Sequence, residues 1–136
     1  MNFIIENIGW LLIISTIAFF FFYKLFSKDP YALTSKYIIE KEISFNSEKL
    51  PKKILDSLKK SGFNKVGYDP DENKFYAQTK ISLWSWTEFI MIQIQKDNSN
   101  TKMIFTSICA LPLQIIDWGK NKRNARKFFK YFEENN

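Results

Sequence analysis

Among its 136 residues the chain has no histidine, one cysteine, four glycines and, of twenty basic residues, only two arginines. Each scarcity excludes something. Without His, the side chain that ordinarily moves protons near neutrality is missing, along with the commonest transition-metal ligand. Cys109 alone can form neither an intramolecular disulfide nor a Cys-His nucleophile pair. The few glycines leave no P-loop, no Gly-x-Gly-x-x-Gly turn and no nucleophile elbow. Asp69-x-Asp71-x-Asn73 has the opening spacing of a calcium loop, but Lys74 stands where Gly is needed and Lys80 where Glu is needed, so the segment reads as a hairpin turn. The expectation is a non-catalytic protein with no cofactor and no metal.

The formal charge of +6 points to an anionic neighbour. Because eighteen of the twenty basic residues are Lys, the attraction is diffuse, without the planar Arg fork that grips phosphate. No RNA- or DNA-binding motif accompanies the charge, so nucleic acid is not an expected partner.

What the chain does have is an apolar N-terminus. Phe3 to Phe26 reads as a transmembrane helix, with seventeen uncharged positions from Asn7 to Tyr23. Ten Ile, Leu and Phe residues from Ile8 to Phe22 sum to roughly −4 kcal/mol of insertion energy. The residues before Ile8 carry Glu6 and no basic side chain, and no small-x-small site follows, so a retained anchor is expected over a cleaved signal. Lys24, Lys28 and Lys36 lie on the C-terminal side, which predicts an outside N-terminus and a cytoplasmic domain on a single-pass cell-membrane protein. The lone cysteine and the lack of an Asn-x-Ser/Thr sequon agree with a reducing compartment.

The predicted organisation is an anchor over 1–26, an exit loop over 27–35 and a small soluble α+β domain over 36–136. Alternation from Lys36 to Phe45 predicts a strand, and Leu50, Ile54, Leu55 and Leu58 stripe a helix from about Glu48 to Ser61, with Asn46 and Ser47 as N-cap candidates. Two hairpins follow across 70–73 and 97–100, placing Tyr68 opposite Phe75, Val66 opposite Ala77, Ile94 opposite Met103 and Ile92 opposite Phe105. Asp117 then caps a last helix to about Glu134, whose apolar stripe is Trp118, Ala125, Phe128, Phe129 and Phe132. The order β-α-β-β-β-β-α predicts an antiparallel sheet of about five strands with two helices on one face.

Leu83-Trp84-Ser85-Trp86-Thr87-Glu88 opens the fourth strand, and Ile116-Asp117-Trp118-Gly119-Lys120-Asn121 leads into the last helix. Together they resemble small membrane-anchored bacterial proteins of uncharacterised function that have a Ser-Trp-Gly-Glu-like strand start and an Asp-x-Gly-Lys-Asn helix entrance, although Thr87 stands where that pattern has Gly. The resemblance carries no activity. Two readings of these residues compete: Trp84 and Trp86 fill the core and Asp117 caps, or Trp84, Trp86, Glu88, Asp117 and Asn121 contact a small ligand, lipid or partner.

Two surfaces complete the candidates. Lys120, Arg123, Arg126, Lys127 and Lys130 form a basic face suited to an anionic lipid surface. Phe89, Met91, Ile104 and Ile108 point away from the helices, where either the connection Leu111–Ile116 or a second copy or partner would cover them. The expected role is an interaction module at the cytoplasmic membrane face, touching a protein partner or anionic lipid, with small-ligand or lipid binding as the first alternative and an unrecognised enzyme as the second.

Overall fold

The computed structural model describes residues 2–27, 33–43, 49–81, 86–97, 100–112 and 114–134, and divides the chain into two compact units, 1–33 and 34–136. In the first, α1 runs from Asn2 to Phe26. Its hydroxyls turn inward on the helix, Ser15 Oγ and Thr16 Oγ1 both donating to the Leu12 carbonyl. Its apolar side chains stand exposed around the helix, Trp10, Ile13, Ile17, Phe19 and Phe21 among them.

Among the described residues, no helix is long and apolar enough to cross a membrane. This overturns the expected anchor over 1–26 and, with it, the single-pass cell-membrane localisation and the cytoplasmic placement derived from that span. The physical reason lies in where the charges fall. Glu6 and Lys24 bracket only seventeen uncharged positions, a rise of roughly 26 Å against a hydrocarbon core of about 30 Å, and Gly9, Ser15 and Thr16 dilute that run. The flanks Phe3–Ile5 and Leu25–Phe26 lie beyond those charges.

The second unit is α+β. Its elements are β1 (Lys36–Ile43), α2 (Leu50–Lys60), β2 (Asn64–Asp69), β3 (Lys74–Gln78), β4 (Glu88–Asp97), β5 (Asn100–Cys109) and α3 (Lys120–Glu134). The five strands form one antiparallel sheet in the order β1-β5-β4-β3-β2. Helix α2 packs over β2 and β3, α3 packs over β5 and β1, and the two helices touch.

Local chemistry sets the boundaries. Helix α2 opens with Pro in its first turn and no side-chain cap at Lys49; the cap candidates Asn46 and Ser47 lie outside the described residues, as do Ser44 and Phe45. It closes in a Schellman turn: Gly62, at φ 71°, donates to the Lys59 carbonyl and Phe63 to that of Leu58. In the hairpin over 69–74, Asp69 Oδ1 accepts the Asp71 and Glu72 amides, so that carboxylate serves the turn. Tyr68 stacks on Phe75 across the strands at 4.3 Å. Val66 does not pair simply with Ala77, because the register shifts between Asn64 and Gly67, where Lys65 takes a positive φ of 47°.

The β4–β5 register pairs Ile94 with Met103 and Ile92 with Phe105. That parity sends Ile90, Ile92, Met103 and Phe105 into the core against Leu50, Ile54 and Leu58 of α2 and Ala125, Phe128, Phe129 and Phe132 of α3. Phe128 is the hub, stacked on Phe105 at 5.3 Å and on Phe132 at 5.7 Å, with Phe129 edge-on at 5.2 Å. Phe105→Ala should therefore lower unfolding free energy by about 3–5 kcal/mol in denaturant titration, within the range for emptying a buried aromatic site. A loss below about 1 kcal/mol would mean that the helix layer does not depend on this aromatic cluster.

Candidate functional site

Of the candidate ligand contacts, the structure brings together Glu88, Asp117 and Asn121, with Trp86 apart from them. Trp84 lies outside the described residues, and Trp86 is 65% exposed, neither core nor part of a polar cluster. The other three members converge on the end of the sheet where β5 leaves and β4 begins.

Glu88 is the first residue of β4 and falls on the helix-facing parity, so its carboxylate is wholly buried. Helix α3 begins above it, and the Lys120 ammonium reaches its Oε2 at 2.9 Å. The Thr79 hydroxyl donates to the same carboxylate and accepts the Glu88 backbone amide at 2.9 Å, while Thr87 Oγ1 donates to the Thr79 carbonyl. Beside this pair, Asn121 Oδ1 accepts from Ser107 Oγ at 2.7 Å and its Nδ2 donates to the Ser35 carbonyl at 3.0 Å and to Cys109 Sγ at 3.6 Å. Asn124 Nδ2 donates to Ser107 Oγ at 3.1 Å. Asp117 is a cap, accepting the Gly119 amide on Oδ1 and the Asn121 amide on Oδ2.

The result is a buried polar seam that fastens the N-terminal turn of α3 to the sheet. Its groups already serve one another, which suits a structural brace better than a site awaiting substrate. Among the described residues, no group of three or more His, Cys, Asp or Glu is placed to hold a metal ion.

Sequence reasoning missed Thr79, Ser107, Cys109 and Asn124, and it placed Lys120 on the outer basic face, whereas its side chain is only 16% exposed. A usable signal was present. Asn121 and Asn124 sit at stripe positions of α3, ahead of Ala125, Phe128 and Phe129, and Glu88 and Ser107 share strand parity with Ile90 and Phe105.

The remaining basic candidates, Arg123, Arg126, Lys127 and Lys130, are exposed. Arg123 Nη1 donates to the Trp118 carbonyl at 2.8 Å, and Lys130 stands 3.9 Å from Glu134. On α2, Lys53 is buried with its ammonium 4.4 Å from the Phe132 ring centroid, and burial lowers its pKa. On the outer sheet face, Phe89, Ile104 and Ile108 are half-buried and Met91 is exposed, with Ile38 and Tyr76 exposed in the same cross-strand row as Met91. The connection Leu111–Ile116, one of the two coverings considered for them, is laced to the start of β1: Thr34 Oγ1 donates to the Pro112 carbonyl at 2.5 Å and the Ser35 amide to that of Gln114 at 2.8 Å. Its Leu111, Ile115 and Ile116 side chains remain exposed, and Leu113 lies outside the described residues.

No family model matches the chain, and no curated protein matches it.

Two outcomes test the seam. Glu88→Ala should cost about 3–5 kcal/mol of stability, because it strands the Lys120 ammonium, whereas Glu88→Leu combined with Lys120→Met should recover most of that loss. Equal losses in both would show that the carboxylate, rather than the pair, is what the fold needs. Burial pushes the Cys109 thiol up, with the Asn121 hydrogen bond opposing weakly. The folded state then holds this proton more tightly than the unfolded state, so the contribution is fully present below the ordinary thiol value of 9.0 and is lost as pH rises through the folded value. Cys109→Ala should flatten that alkaline decline in urea titrations, and native Cys109 should resist alkylation until the protein unfolds.

Proposed function

We propose that the domain is a non-catalytic interaction module that contacts an anionic lipid surface through the outward arcs of α2 and α3. The observation that carries this reading is the division of charge. The exposed positions of those helices include Lys52, Lys59, Lys60, Lys122, Arg123, Arg126, Lys127 and Lys130, while the acids on the same helices are Asp56, Glu133 and Glu134. Glu133 is engaged by Lys41 at 2.6 Å and Glu134 lies near Lys130. The other side of the domain is more evenly balanced, with Glu40 paired to Lys102 across the sheet.

A Lys-dominated arc attracts a diffuse anionic surface without demanding fixed geometry, which suits lipid headgroups better than a single phosphate. Such contact from outside needs no spanning helix. An acidic protein partner would use the same charges, whereas small-ligand binding at Glu88 and Asn121 would have to displace partners those groups already hold.

Residues 34–136 contain the whole described core, so this segment can be sedimented with vesicles. It should partition onto phosphatidylserine-containing vesicles and not onto phosphatidylcholine alone, and raising salt should release it. Arg123, Arg126, Lys127 and Lys130 all changed to Gln should weaken partitioning by at least about tenfold at unchanged circular dichroism, given about 1 kcal/mol for each charge close to the surface. Equal binding by the variant would remove the basic arc from the account.

A further inference from the structure

Apart from the outer-face row of Ile38, Tyr76 and Met91, the large exposed apolar side chains described in the second unit lie on segments at one end. Strand β3 leaves the sheet there and β4 returns, the Thr79 amide donating to the Glu88 carbonyl at 3.0 Å. At the same end β5 finishes at Cys109, and its amide donates to the carbonyl of Ser35, just before β1. The segments that emerge from this end carry Ile81, Trp86, Leu111, Ile115, Ile116 and Trp118, from 41% to 74% exposed. The opposite end bears the exposed turn Pro70-Asp71-Glu72-Asn73.

Trp118 is the most informative of the group. It adopts a φ of 51°, which a bulky side chain rarely takes, and is followed by Gly119 at φ 73°. Asp117 and Arg123 hold that turn, through the Gly119 and Asn121 amides and the Trp118 carbonyl respectively, yet Trp118 is 69% exposed. A strained backbone is being fixed to present an aromatic ring to the outside. The segments at this end also carry exposed Lys80, Lys122 and Arg123, and Arg123 reaches the Trp118 carbonyl at 2.8 Å. The carboxylates at this end, Glu88 and Asp117, are turned to internal partners.

Tryptophan and isoleucine tips within a basic collar fit the boundary between headgroups and acyl chains of an anionic bilayer, where amphipathic rings settle and lysine meets phosphate. The core of a protein interface would instead be poor in Lys. We propose that this end of the domain docks on a lipid bilayer by shallow insertion of Trp86, Ile115, Ile116 and Trp118, with Lys80, Lys122 and Arg123 on the headgroups. The charge reading above supplies only the attraction to lipid; insertion is a separate step that salt does not screen.

The test uses the full chain carrying Trp10→Phe, Trp84→Phe and Trp86→Phe, so that Trp118 is the only indole. Sedimentation with vesicles of phosphatidylcholine and phosphatidylserine defines the bound fraction. At saturation, acyl-brominated lipid should quench Trp118 emission by about twofold, both near 0.1 M salt and, for chains still bound, near 0.5 M. In the same single-indole chain, Ile115→Glu with Ile116→Glu should abolish the blue shift of Trp118 on vesicles while circular dichroism stays unchanged, since both side chains are exposed. Unquenched Trp118 on bound protein overturns insertion even where the basic arc still drives partitioning. Quenching that disappears at high salt on bound protein overturns it as well, and protein that does not bind overturns both this proposal and the charge reading.

Discussion

The buried pair of Glu88 and Lys120 is the constraint from which the arrangement of the second unit follows. A carboxylate on the core side of a strand is tolerated only when a cation and hydrogen-bond donors come with it, and Lys120 and Thr79 supply them. Because Lys120 is also the first residue of α3, neutralising Glu88 fixes where that helix starts. Asn121 and Asn124 extend the same fastening through Ser107 and the Ser35 carbonyl. With its first turn held there, α3 lays Ala125, Phe128, Phe129 and Phe132 along the sheet, and the aromatic cluster closes around Phe105.

The same fastening divides the surface. Locking the polar face of the first turn inward leaves Lys122, Arg123, Arg126 and Lys127 outward, and the tight turn over 117–120 leads into it from outside the core. Polar groups that could have built a reactive site are consumed in the brace, while charge and apolar area are displayed outside. Charge acts over about a Debye length and screens with salt, whereas exposed indole and isoleucine act only on contact. The proposed lipid contact combines a long-range and a short-range interaction on neighbouring parts of one domain.

The sheet was legible because its signals are local and periodic. Alternation in β4 and β5, together with the turn between them, fixes the pairing of Ile92 with Phe105, and one register decides every inward side chain. The apolar stripe of α3 and the Asp117 cap were equally plain, apart from Trp118, which stands exposed ahead of the helix instead of on the stripe. Four features were not. The bulge at Lys65 depends on a positive φ that no residue type there announces, so Val66 was misplaced. For Trp86, core filling and ligand contact both stayed open, because hydrophobicity does not distinguish a buried ring from one displayed at a strand end. For α1, counting the apolar flanks beyond Glu6 and Lys24 made an uncharged run of seventeen look long enough to span a bilayer. Lys120 was the last, since its partner lies thirty-two residues away and charge composition cannot show which lysine turns inward.

Hydrogen–deuterium exchange on the full chain, with and without phosphatidylserine-containing vesicles, reads the central claim without altering a residue. The account predicts slower exchange at 115–119 and in the first two turns of α3 when vesicles are present, with the turn at 70–73 unchanged. Protection centred on 70–73 with 115–119 unaffected would contradict it, because the opposite end of the domain would then be the one that meets the lipid.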